Sequence, residues 1–91
     1  MWKIKQSSQF KKDLKRYKND SVKLSELRTV LLQLEKSGRV DSKYKPHILT
    51  GSYKGYYECH IENDFLLIWF DEKNNSIVLI RIGSHSELFK R

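Results

Sequence analysis

Six consecutive apolar residues, Phe65 to Phe70, form the longest apolar run in the chain and constrain its fold more than any other feature. The run is far below the roughly 20 residues a membrane-spanning helix needs, and its length suits a strand. Apolar at odd and even positions alike, it reads as a central strand covered on both sides. Two further strand-type runs flank it, Tyr56 to Ile61 and Ser76 to Ile82, through Glu62-Asn63-Asp64 and Asp71 to Asn75. Both connections have turn composition, so the three runs form an antiparallel meander.

The pattern ahead of the meander is helical. Trp2 and Ile4 alternate with Lys3 and Lys5 as in a short strand. Ser7 and Ser8 then offer an N-cap, and Phe10, Leu14 and Tyr17 follow at the spacing of one helix face, giving a helix over about Ser8 to Lys18. Asn19, Asp20 and Ser21 break it and cap a second helix carrying Leu24, Leu27, Val30, Leu31 and Leu34, which ends near Gly38. So short a connection predicts an antiparallel helix hairpin. Val40 to Gly55, with Pro46, Gly51 and Gly55, reads as a long ordered loop, and Ser84 to Phe89 as a closing helical turn. The expected fold is one α+β domain over residues 1–91: an N-terminal strand and a helix hairpin on one face of a mainly antiparallel four-stranded sheet, with the other face open to a ligand.

At 91 residues the chain is too short for a second core. Its charge is segregated. Through Lys45 there are 13 Lys and Arg against 5 Asp and Glu, a net +8; beyond it 5 stand against 6, a net −1. Such an excess favours a polyanion or an acidic protein partner, although Lys11, Lys12, Lys15 and Lys18 also read as a solvated helix face. No signal-peptide core is visible in the first ten residues, so a cytoplasmic protein without membrane attachment is expected. Cys59 is the only cysteine, which excludes an internal disulfide and a cysteine-rich zinc site.

Three histidines carry the candidate chemistry, and all lie in the second half: His47, His60 and His85. Side chains alternate along a strand, so His60 points with Glu58 and Tyr56 while Cys59 points the other way. That alternation and the lack of any HExxH or CxxC spacing argue against a metal site. No cofactor is expected. Imidazoles gathered from a loop, a strand and a strand end can accept and donate a proton in one reaction. Arg81, a cation in an apolar strand, is read either as a phosphate clamp or as a structural partner of Glu58 or Glu62.

Taken in order, the stretches Tyr44-Lys45-Pro46-His47, Leu49-Thr50-Gly51-Ser52-Tyr53-Lys54-Gly55-Tyr56, Glu58-Cys59-His60-Ile61, Asp64 and Arg81-Ile82-Gly83-Ser84-His85-Ser86-Glu87-Leu88-Phe89 resemble the YafQ branch of the RelE/ParE toxin superfamily. The resemblance covers essentially the whole chain. It implies a type II toxin that enters the ribosomal A site, cuts messenger RNA and is held silent by a cognate acidic antitoxin. His47, His60, Asp64, His85 and Phe89 fall on the family's active-site positions and Arg81 on its phosphate-contacting arginine. Phe65 falls where relatives often carry Trp, and Tyr57 where they often carry Arg. His85 is then expected as general acid, with Asp64, His60 or His47 assisting removal of the 2′-proton. Phe89 and Phe65 would stack on a base, and Lys11, Lys12, Lys15 and Lys54 would bind RNA. Because ParE-type relatives share the fold and act on gyrase, the alternative is a non-catalytic gyrase-directed toxin or RNA-binding regulator. The three histidines favour the nuclease.

Overall fold

In the computed structural model, which describes residues 1–89, the elements run β1 (Lys3–Gln6), α1 (Ser8–Lys15), α2 (Ser21–Ser37), β2 (His47–Ile48), β3 (Tyr57–Glu62), β4 (Phe65–Lys73), β5 (Ser76–Gly83) and α3 (His85–Leu88). The strands form one five-stranded sheet in the order β1-β5-β4-β3-β2. Its centre is β4, as the apolar run requires, with Phe65 through Trp69 buried. Phe65, Leu67 and Trp69 face the main core with Phe10, Leu27, Val30 and Leu34 from the helices. Leu66 and Ile68 face the opposite way and join Leu88 in a smaller cluster flanked by Tyr53, Tyr56 and Phe89. The face expected to be open is therefore partly covered, because a strand apolar on both sides needs two layers.

Local chemistry sets the helix ends. The Ser7 hydroxyl accepts from the Phe10 amide at 3.0 Å and starts α1; Asp20 accepts from the Lys23 amide at 3.1 Å and starts α2. Gly38 ends α2 with φ 72°, where a Cβ would lie 2.6 Å from the Trp2 indole, so glycine serves both the left-handed turn and the close approach. α1 stops earlier than its periodicity predicts, since Arg16, Tyr17 and Lys18 donate to carbonyls three residues back in a tightened turn. Both helices pack on the sheet, α1 against β5 and α2 against β3 and β1, as expected for the helix pair.

The sheet holds one more strand than the sequence pattern predicts. β2, two residues long, lies in the segment read as loop and pairs antiparallel with β3, His47 opposite Glu58. Two residues carry no periodicity, so only the partner strand defines it. At the other edge β1 runs parallel to β5, from Lys3 opposite Ser76 to Gln6 opposite Leu79, which makes the sheet mixed. Asn74 and Asn75 turn β4 into β5 with φ 55° and 59°, the left-handed pair of a primed hairpin. Among the described residues no helix is long and apolar enough to cross a membrane.

Candidate active site

The three histidines, distant in sequence, form one row. The register of β2 on β3 sets His47 beside Glu58, and strand alternation sets His60 on the same face. One carboxylate oxygen, Glu58 Oε1, lies 3.1 Å from His47 Nε2 and 3.7 Å from His60 Nε2. The His47 and His60 rings stack at 5.9 Å between centroids, and His85, at the start of α3, lies 5.9 Å beyond His60.

Asp64 fixes the third member. It sits in the β3–β4 turn with φ 53°, a left-handed conformation that Asp tolerates better than most side chains. From there its Oδ1 accepts from the His85 amide at 2.7 Å and meets the His85 Nδ1 at 2.9 Å. These two bonds hold the Asp64 carboxyl below its ordinary range, so it is the ionised form that His85 meets. An ionised carboxylate only accepts, hence Nδ1 carries the proton and Nε2 is the working nitrogen. Beside the dyad an open cleft of about 780 Å³ is lined by Lys43, Lys45, His60, Asn63, Asp64 and His85, with Glu26 and Glu62 also on its wall.

Glu58, buried between His47 and His60, is a residue of this row that the sequence pattern does not single out. It is 4% exposed, and its Oε2 has no hydrogen-bond partner among the described residues. His47 Nδ1 faces the Lys45 carbonyl at 3.0 Å and so must donate there. Its Nε2 can then meet Glu58 attractively only with a proton shared between them. Alternatively His47, Glu58 and His60 offer three ligand atoms within 4.8 Å of one another, a set of imidazole and carboxylate donors that suits a divalent transition metal, with the unpartnered oxygen in reserve. The sequence expectation of no metal site rested on spacing, which does not register a site built across a strand pair. Cys59 plays no part: it is fully buried on the opposite face, and burial pushes its thiol up to about 12.

Arg81 is committed to a partner that neither sequence reading named. Its Nε donates to Asp13 Oδ2 at 2.7 Å and its Nη2 to Asp13 Oδ1 at 3.1 Å, so the guanidinium fork is taken up inside the protein. β1 pairs with β5 only as far as Leu79, and past that point Arg81 reaches round to α1. Burial alone would raise the Asp13 carboxyl, but Arg81, Gln9 and the Ile82 amide outweigh it and hold it low. Nearby, the Tyr17 hydroxyl donates to Glu87 Oε1 at 2.5 Å, and the same oxygen accepts from the Ser84 amide at 2.8 Å. Glu87 and Ser84 form the capping box of α3, so the helix layer secures the turn that presents His85.

The remaining candidates divide. Phe89 lies against His85, 6.2 Å between centroids, where a stacking role is available. Phe65 does not: it is 0% exposed, packed under Tyr17 at 4.8 Å, because its position on β4 faces the helices, and the expectation that it stacks on a base is corrected accordingly. Lys54 is exposed beside Tyr53, at the end of a short 3-10 turn. Lys11, Lys12 and Lys15 are exposed on α1, the helix layer lying across the sheet from His60.

Known proteins carry the same arrangement of chain. Over 90 residues the chain is 37% identical to the mRNA interferase toxin YafQ of Escherichia coli K12, with 94% of each covered. A metal-bound toxin from Helicobacter pylori superposes with TM-score 0.84 at 39% identity, over 98% of this chain and all of that one. The toxin of the Escherichia coli DinJ-YafQ complex superposes with TM-score 0.74 at 34% identity, over 98% and 99%. A family model described as the bacterial toxin of type II toxin-antitoxin systems, YafQ, matches residues 2–90, and this chain belongs to that family.

Proposed function

We propose that this protein is an mRNA interferase toxin that works in the cytoplasm, enters the ribosomal A site, cuts the message there and is silenced by a cognate acidic antitoxin. The observation that carries the reading is the row His47–His60–His85, with Asp64 fixing the His85 tautomer. The names borne by its relatives agree with it: an mRNA interferase, and a toxin bound to DinJ.

RNA brings its own nucleophile, the 2′-hydroxyl. The protein has to take that proton, stabilise the phosphorane and protonate the departing 5′-oxygen. In its doubly protonated form, His85 delivers a proton from Nε2 and keeps Nδ1–H on the Asp64 carboxylate. His60, central in the row and backed by Glu58, accepts the 2′-proton, and His47 holds the shared proton close to the phosphate. Arg81 contributes its guanidinium charge from beside Asp13, while Lys43 and Lys45 stand on the cleft wall with Glu26 and Glu62. A metal ion held by His47, Glu58 and His60 would polarise a phosphate oxygen when bound; none of the proton transfers above is assigned to it. The product is a 2′,3′-cyclic phosphate and a 5′-hydroxyl.

Two measurements decide it. Replacing the 2′-hydroxyl of the attacked nucleotide with hydrogen should stop cleavage, and continued cutting would refute the acid-base route. Mapping transcript 5′ ends after induction should give in-frame cuts at a fixed codon position that vanish with His85→Ala. Growth arrest with DNA damage and intact transcripts would instead indicate the gyrase-directed alternative.

A further inference from the structure

The histidine row continues into an unbroken line of aromatic rings. Phe89 lies 6.2 Å from His85, Tyr53 5.7 Å from Phe89, Tyr56 5.9 Å from Tyr53, and Phe70 5.1 Å from Tyr56. Tyr53, Tyr56 and Phe89 also cover Leu66, Ile68 and Leu88, so packing explains their presence. It does not explain Phe70. Two residues beyond Ile68 on the same face of β4, Phe70 lies past that cluster and keeps 38% of its surface in solvent. Exposed Lys54 adjoins the line, and Tyr53 is among the groups that favour the charged form of Arg81, after Asp13. Of the two acids that follow, Asp71 lies with Tyr57 and Trp69, and Glu72 pairs with Lys5 at 3.1 Å.

We infer that Tyr53, Tyr56 and Phe70 form a base-stacking subsite that holds a nucleotide of single-stranded RNA outside the cleaved step. The inference rests on the RNA-cutting reading above and extends that site along the sheet. Splayed bases stack on aromatic faces whatever their identity, and a cation alongside neutralises the phosphate between them. Continuity with the histidines is what selects RNA here, since a strand bound at His85 and Phe89 has only to continue over the adjoining rings. With Phe65 buried, these rings also supply the aromatic surface that the sequence assigned to it.

The test uses a single-stranded oligoribonucleotide with 2-aminopurine at each position in turn, bound to the His85→Ala chain. Stacking quenches this base, and quenching is expected at one position outside the cleaved step. Adding Phe70→Ser should relieve it, and Phe70→Trp should restore it. In the otherwise unaltered chain, acting on a message in programmed ribosomes, Phe70→Ser should raise KM about tenfold with kcat within about twofold. Equal quenching with and without Phe70→Ser would overturn the subsite, as would a variant that loses antitoxin affinity alone, which would give the patch to the protein partner. If the parent chain cuts no message, the nuclease reading falls by itself, and the quenching still decides whether bases stack here.

Discussion

Asp13, fully buried on α1, receives both the Nε and Nη2 hydrogen bonds of Arg81 at 2.7 and 3.1 Å, and so ties the helix layer to the end of the strand that leads into His85. A buried pair of this kind is costly to break from one side, because the remaining charge loses its partner in a dry site. Asp13→Ala should therefore cost about 3–5 kcal/mol in urea unfolding at neutral pH. The folded carboxyl is held below its unfolded value, so the contribution is fully present above about pH 4 and is lost as pH falls through the lowered value. The stability gap between parent and Asp13→Ala should close in acid; a gap independent of pH would show that the charge is not what matters.

Asp64 is exposed in a turn, and its hydrogen bonds go to the His85 amide and ring. Asp64→Asn should lower kcat about a hundredfold while KM changes less than threefold, since the lost element is the tautomer and orientation of the acid. A rise in KM with kcat intact would place Asp64 in substrate binding instead.

Phe65 belongs to the core. Phe65→Ala should cost about 3–5 kcal/mol of stability, and RNA affinity of the folded protein should match the parent. Reduced affinity at full folding would return the residue to the RNA surface.

His47, Glu58 and His60 should bind zinc(II) or copper(II) in a calorimetric titration, with Glu58→Gln at least tenfold weaker. If proton transfer alone drives cleavage, exhaustive chelation should leave the cutting rate within about twofold.

The basic helix face and the histidine row lie on opposite sides of the sheet, and the proposed function gives them separate tasks. Reversing charge at Lys11, Lys12 and Lys15 should weaken ribosome association about tenfold or more, steeply with salt. His85→Ala should abolish cutting and leave that association nearly unchanged. Parallel losses in both variants would contradict a division of labour.

The sequence by itself determined the central strand, both helices with their caps, the meander and the three histidines. Each of these is a local matter: periodicity, a capping hydroxyl, a left-handed glycine, a run of apolar residues. It even contained the clue to Asp13, three residues after Phe10 and so on the apolar face of α1, although the surrounding lysines hid it. Only the tertiary structure decided that His47 reaches Glu58, since that depends on a two-residue strand whose pairing no periodicity encodes. The same holds for the occupation of the Arg81 fork, the burial of Phe65 and the ring line running out to Phe70. Contacts between distant segments are set by register and layer packing, and neither quantity is written in neighbouring residues.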